Sequence, residues 1–139
     1  MPVNPYQKYQ QQSIMTLTPG ELLLRLFDEA IKQLRYAEEQ LAQKQFDHAN
    51  AAMQKASRII SHLNKTLDMQ YEISKNLEQL YDFFLHKITQ ANLHKDVTHL
   101  QEIVPMIQEL RDTFAQADRQ VTSSQAAPVT QATIANSGK

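Results

Sequence analysis

The chain has 139 residues, of which 21% are charged, and 14 basic against 15 acidic side chains leave a formal net charge of −1. A chain this close to neutral, with neither sign clustered, lacks the concentrated basic surface of a nucleic-acid groove. The absence of cysteine excludes disulfides and thiolate metal sites, and two glycines leave no phosphate-binding loop. No run of eighteen apolar residues and no N-terminal signal region occur, so we expect a cytoplasmic protein without membrane insertion.

Residues 1–17 are predicted to form an N-terminal arm. The arm contains two prolines, a run of glutamines and no acidic residue. Tyr6, Tyr9 and Ile14 are its apolar anchors. One interpretation is a mobile terminus. The other is an ordered strap, because aromatic and apolar residues are depleted in disordered segments.

The first helix is predicted over residues 19–42. Thr18 and Glu21 have the spacing of a capping box, and Pro19 falls at the first helical position, where its missing N–H is tolerated. Apolar residues then recur at steps of three and four, namely Leu23, Phe27, Ala30, Leu34, Ala37 and Leu41. A helix with so wide an apolar face must be one wall of a bundle.

Three further helices are predicted after a polar break at residues 43–45. The second helix carries the most regular apolar pattern, Phe46, Ala49, Met53, Ala56, Ile60, Leu63 and Leu67. The third shows the same spacing at Ile73, Leu77, Leu80, Phe84, Ile88 and Ala91, with Tyr81 beside them. Asp96 is the expected N-cap of the fourth, whose apolar face is Leu100, Ile103, Val104, Ile107, Leu110 and Phe114. Short connections make neighbouring helices antiparallel, so we predict an all-α, up-down-up-down four-helix bundle over residues 18–120.

Two features of the C-terminal part leave alternatives open. Pro105 is expected to kink the fourth helix, or else to split it in two. Residues 121–139 are rich in Thr, Ser, Gln and Ala with few large apolar residues, which predicts a disordered tail.

The sequence gives no support for catalysis, a cofactor or a metal. The Glu-x-x-His motif of di-iron bundles does not occur. None of the histidines belongs to a predicted core face, and we expect each to be replaceable by Gln with little effect: His48, His62, His86, His94 and His99. We therefore expect a protein that is not an enzyme and has no cofactor and no metal.

More apolar residues are present than four helix stripes require. Seven of them fall at the edges of their predicted faces or outside them: Leu22, Leu24, Ile31, Ile59, Phe83, Leu85 and Met106. They could belong to a wide core boundary. They could also line grooves between helices that accept a partner's amphipathic segment.

Three blocks, in this order and spacing, resemble the family of the flagellar secretion chaperone FliS, the export chaperone for flagellin. The first runs from Tyr9 to Ile31 and contains Thr-Pro-x-Glu-Leu-Leu-Leu-Arg-Leu-Phe-Asp-Glu-Ala-Ile. The second is Leu-Asp at 67–68, then Asn-Leu-Glu-Gln-Leu-Tyr-Asp-Phe-Phe at 76–84 and Ala-Asn at 91–92; the third is Glu-Leu-Arg-Asp-Thr-Phe at 109–114. The chain departs from the family in lacking a glycine turn after Asp68, in having Phe114 where Trp is usual, and in Pro105.

The resemblance implies a partner and a mechanism. Proteins of this kind bind the disordered C-terminal segment of flagellin, block its premature polymerisation and present it to the flagellar type III export apparatus, whose gate is a further candidate partner. The resemblance also implies that the N-terminal arm covers part of this site in the free protein, which we expect to be a monomer. Two other functions stay open: a structural bundle that oligomerises through its apolar edges and has no secretion client, and a bundle that holds a small molecule or haem.

Overall fold

A computed structural model describes residues 16–124, and within them the chain forms four α-helices and no strand. These are α1 (Pro19–Ala42), α2 (Phe46–Lys65), α3 (Glu72–His94) and α4 (Thr98–Ser124). The connections are short, so consecutive helices run antiparallel. Helix α4 packs on α1 as well as on α3, which closes the bundle. The predicted all-α four-helix architecture is confirmed. None of the described helices is both long enough and apolar enough to cross a membrane.

The start of α1 is fixed by a cap and by close packing on α4. The Thr18 hydroxyl accepts a hydrogen bond from the Glu21 N–H at 3.1 Å, as the capping pattern predicts. Gly20 is buried, and a Cβ atom built on it would overlap the carboxyl group of Asp118. Its φ is not positive, so Gly20 is required for space and not for backbone freedom. Burial, and secondly the Glu21 carboxylate, raise the pKa of Asp118 above its ordinary value.

The core is centred on aromatic rings from three helices. Phe27 lies 5.5 Å from Phe114 and 6.4 Å from Tyr81 between ring centroids. All six apolar residues predicted for the core face of α1 are buried. Phe46 contradicts its predicted core position, because it is 41% exposed. It is the first residue of α2, at the end of the bundle, where its ring faces the ammonium group of Lys95 at 6.0 Å.

The helix boundaries agree with the sequence at their starts better than at their ends. Helix α1 has the predicted bounds, and the Asp96 carboxylate accepts from the Thr98 N–H at 3.0 Å at the start of α4. Helix α2 ends at Lys65, two residues before Leu67, the last residue of its predicted apolar pattern. Helix α3 ends at His94, three residues after Ala91, the last residue of its pattern. The pKa of Asp96 is lowered, mainly by its hydrogen bonds from Thr98.

Helix α4 corrects two expectations about the C-terminal part. It is one continuous helix through Pro105, so the interpretation of two shorter helices is wrong. It also continues to Ser124, so residues 121–124 are helical where a disordered tail was predicted, and Val121 packs against the core. Residues 125–139 lie outside the described residues. So do residues 1–15, including Tyr6, Tyr9 and Ile14.

Candidate partner-binding grooves

An apolar strip follows the seam between α1 and α2. The Lys55 ammonium contacts the Glu29 carboxylate at 3.2 Å, which shows which turns of the two antiparallel helices lie side by side. One turn from this pair, Leu26 and Ile59 are partly buried against the core, and Leu22 is 42% exposed a turn further on. The hydrogen bond from Gln33, followed by the Lys55 contacts, lowers the pKa of Glu29 and keeps it ionised beside this apolar strip. We call Leu22, Leu26 and Ile59 the α1/α2 groove.

A second apolar strip follows the seam between α3 and α4, on the opposite side of the bundle. The register of these two helices is marked by the Lys87 ammonium and the Glu102 carboxylate, 2.9 Å apart. Phe83 is one turn before Lys87, and Met106 is one turn after Glu102, so the antiparallel helices bring these two predicted residues to the same level. The Lys87 ammonium also lies 5.7 Å from the centre of the Phe83 ring.

The apolar surface of this second groove extends beyond that pair. Leu80 and Leu110 continue it by one turn in the same register, and both are partly buried against the core, as is Phe83. Met106 is 37% exposed, so the strip is accessible to solvent. We call Leu80, Phe83, Met106 and Leu110 the α3/α4 groove.

The seam between α1 and α4 corrects one predicted site residue. Arg111 donates to both carboxylate oxygens of Asp28, at 2.8 and 3.3 Å, and this pair spans the seam. Leu24 is partly buried there. Ile31, which was expected at the edge of its helix face, is only 6% exposed and belongs to the core. Ile31 lies three residues after Asp28, on the side of α1 that packs on α4, so its side chain offers a partner almost no surface.

The seam between α2 and α3 holds Leu85, which is partly buried. Where the start of α2 lies beside the end of α3, the same seam opens into a groove of about 710 Å³. Met53 and Ile88 lie under it, and Leu93 stands on its rim with 69% of its surface exposed. Sequence reasoning missed Leu93, because it lies outside the apolar stripe of α3. Other exposed large apolar residues that it did not select as site residues are Tyr36, Phe46, Met69 and Tyr71.

The histidines contact isolated partners. His48 Nδ1 lies 3.2 Å from the Gln40 side-chain oxygen, and His99 Nε2 lies 3.7 Å from Asp96. Among residues 16–124 there is no group of three or more side chains of the kinds that bind metals.

The described structure defines a small antiparallel helical bundle whose charged surface is interrupted by apolar grooves along its seams. The family model described as "Flagellar protein FliS" matches residues 2–121 of the chain. The chain belongs to the FliS family.

Several relatives are described as flagellar secretion chaperones. The chain is 36% identical over 114 residues to the flagellar secretion chaperone FliS of Bacillus subtilis, an alignment that covers 82% of this chain and 86% of the relative. It is 31% identical to that of Vibrio cholerae, over 80% of this chain and 84% of the relative. It is 30% identical to the flagellar secretion chaperone FliS of Salmonella typhimurium, over 76% of this chain and 81% of the relative. The family is one of chaperones and not of enzymes.

Proposed function

We propose that this protein is a cytoplasmic flagellar export chaperone whose client is flagellin. In this proposal it binds the disordered C-terminal segment of newly made flagellin, prevents premature polymerisation and supports delivery to the flagellar type III secretion apparatus. The observation that carries the proposal is the solvent-accessible apolar strip of the α3/α4 groove, on a chain of the FliS family. Apolar side chains of the client would replace water along this strip, which is the main source of binding free energy at such surfaces.

The placement of the two apolar grooves favours a long, flexible client. The α1/α2 groove and the α3/α4 groove lie on opposite sides of a four-helix bundle. With helices about 10 Å in diameter, the path round the surface from one groove to the other is roughly 40 Å, or about a dozen extended residues. A single short helix cannot fill both grooves, whereas a disordered segment can wrap the bundle and fold as it binds. The ordering cost of that segment moderates the affinity, which suits a complex that must release its client.

Titration calorimetry of the full chain with a synthetic flagellin C-terminal peptide tests this proposal. Leu22→Asp and Met106→Asp place a charge in each groove at an exposed position, so the fold should persist. We expect each to weaken binding by about tenfold or more, because an unpaired carboxylate would be desolvated under the client. Met69→Asp is the matched control, since Met69 is 46% exposed in the α2–α3 connection and is not one of the residues that define either groove.

Two outcomes would contradict the proposal. One is the absence of binding heat with the wild-type chain. The other is unchanged affinity in both groove variants. Light scattering on the free protein tests the expected monomer, and a stable oligomer dispersed to monomers by the same groove variants would favour a structural bundle without a secretion client.

A further inference from the structure

A further groove lies between the first half of α2 and the last half of α3, apart from the α1/α2 and α3/α4 grooves to which the flagellin client is assigned. Its volume is about 710 Å³, and it is closed at one end by a hydrogen bond across the seam from the Asn92 amide to the Asn50 side-chain oxygen, at 2.7 Å. Met53 and Ile88 are almost completely buried and form an apolar floor. Leu93 adds an exposed apolar rim. We call this the end groove.

The end groove also differs in its charge. The other three seams each carry an ion pair between their helices: Lys55 with Glu29, Lys87 with Glu102, and Arg111 with Asp28. The end groove is lined by two cations, Arg58 and Lys95, and by no acidic residue among those that the structure describes. Within residues 16–121 no carboxylate forms a salt bridge with either of them. The end groove therefore presents two cations that have no salt-bridge partner within these residues, beside the exposed side chain of Leu93.

The positions of the two cations along the groove are defined. Lys95 ends α3 in the left-handed conformation (φ 51°), and its ammonium group donates to the Asn92 side chain at 2.7 Å while facing the Phe46 ring. This places it at the level of Asn50. Arg58 is eight residues further along α2, which at 1.5 Å per residue is about 12 Å away along the helix axis.

We propose that the end groove is a docking site for an acidic amphipathic helix of a partner protein other than the flagellin client. The chemistry of that helix follows from the groove. Two carboxylates about seven residues apart lie on one helix face and span about 10 Å, which matches the separation of Arg58 and Lys95. Apolar side chains between them pack on Leu93, which is 69% exposed, above the buried Met53 and Ile88. Charge complementarity supplies the orientation, and Leu93 supplies apolar surface for the partner to bury.

The end groove lies on the α2/α3 seam, so a client that passes from one client groove to the other across the α1/α4 seam leaves it open to a second partner. Its lining includes none of the residues that define the α1/α2 groove or the α3/α4 groove. The proposal therefore goes beyond chaperoning flagellin and does not depend on it.

The test uses a designed, fluorescein-labelled helical peptide with two glutamates about seven residues apart and two leucines between them. Its control has lysine in place of both glutamates. Fluorescence anisotropy with the full chain should show binding of the acidic peptide and little binding of the basic one. The double variant Arg58→Glu, Lys95→Glu should bind the acidic peptide about tenfold more weakly or worse, and should gain affinity for the basic peptide.

Three further measurements test whether the acidic peptide binds specifically at the end groove. The double variant Lys32→Glu, Lys75→Glu makes the same change in net charge at two exposed positions outside the end groove and should leave binding unchanged. Leu93→Ser should weaken binding of the acidic peptide without reversing the charge preference. A saturating flagellin C-terminal peptide should not displace the acidic peptide.

Equal binding of the two peptides, retained affinity in the double charge variant, or displacement by the flagellin peptide would each overturn the proposal. Self-association of the wild-type chain that is abolished by Leu93→Ser would overturn it too, because the occupant would then be a second copy of this chain. Circular dichroism of each variant establishes that the helices are intact.

Discussion

Gly20 and Asp118 determine how closely α1 and α4 approach each other at the start of the bundle. The missing Cβ of Gly20 leaves the space that the Asp118 carboxyl group occupies. The carboxyl group is nearly buried, and burial raises its pKa. The contact therefore places Gly20, which has no side chain, against the Asp118 carboxyl group, whose ionised form is destabilised by burial.

A double-mutant cycle on this pair is the residue-scale prediction. Gly20→Ala should lower the free energy of unfolding by about 1–3 kcal/mol, because the new methyl group overlaps the carboxyl group of Asp118. In an Asp118→Ala background the same change should cost less than about 1 kcal/mol, since the space is then free and alanine favours the helix. Urea denaturation measures all four proteins. Equal costs in the two backgrounds would show that the contact does not limit the approach of α1 and α4.

At this scale the sequence predicted most buried positions but not the exceptions. The stripe from Leu23 to Leu41 was predictable, because helical spacing alone assigns a residue to a face. Ile31 and Phe46 were assigned wrongly for reasons outside their own helices. Ile31 is buried because α4 approaches that side of α1, and Phe46 is exposed because the bundle ends beside it. Neither fact can be derived from a period within one helix.

The same distinction applies at the scale of the helices. Starts were predictable where a side chain caps the backbone, as Thr18 does for α1 and Asp96 does near the start of α4. Ends were less predictable: α3 continues to His94 and closes on Lys95 in a left-handed conformation that glycine usually adopts. Pro105 was expected to kink α4 or else to split it, and the continuous helix rules out the split. Both Pro105 and Gln101 are exposed, so water can hydrate the carbonyl that loses its donor.

Replacing Pro105 is the element-scale prediction. Pro105→Ala should raise the free energy of unfolding by about 1–3 kcal/mol, because it restores the N–H donor to the Gln101 carbonyl and relieves ring crowding. Part of the gain is offset by greater freedom of the unfolded chain. Gln116→Ala, an exposed position in the same helix, should change stability by less than about 0.5 kcal/mol. A Pro105→Ala protein no more stable than wild type would mean that the proline imposes no local cost.

For the whole molecule, the arrangement of grooves matters more than any one of them. Four helices in cyclic contact place the α1/α2 groove and the α3/α4 groove back to back. The sequence predicted that extra apolar residues are present but not this arrangement, because which helix edges meet depends on the register of neighbouring helices, which pairs such as Lys55 with Glu29 and Lys87 with Glu102 make visible. The end groove could not be predicted at all, since it depends on how the fold places Arg58 and Lys95 on one seam, where no described carboxylate forms a salt bridge with either.

The N-terminal arm provides the prediction at this scale. If residues 1–17 cover part of the client surface in the free protein, arm and client compete, and the apparent affinity is reduced by the fraction of covered protein. Removing residues 1–13 should then raise the association rate for the flagellin peptide and increase the binding of a hydrophobic dye. Replacing Tyr6 and Tyr9 together by Ser should give part of the same effect, because the two rings are the largest apolar groups of the arm. Stopped-flow fluorescence measures the rate, and an unchanged rate after both alterations would contradict the competition.

The central claim, that this FliS-family bundle keeps flagellin from polymerising, is tested most directly by seeded flagellin polymerisation followed by light scattering. The account predicts that the wild-type chain suppresses filament growth as it approaches one copy per flagellin monomer. Met106→Asp should restore growth, whereas the control Met69→Asp should suppress it as the wild type does. Filament growth that proceeds at the same rate with and without an excess of the wild-type chain would contradict the account.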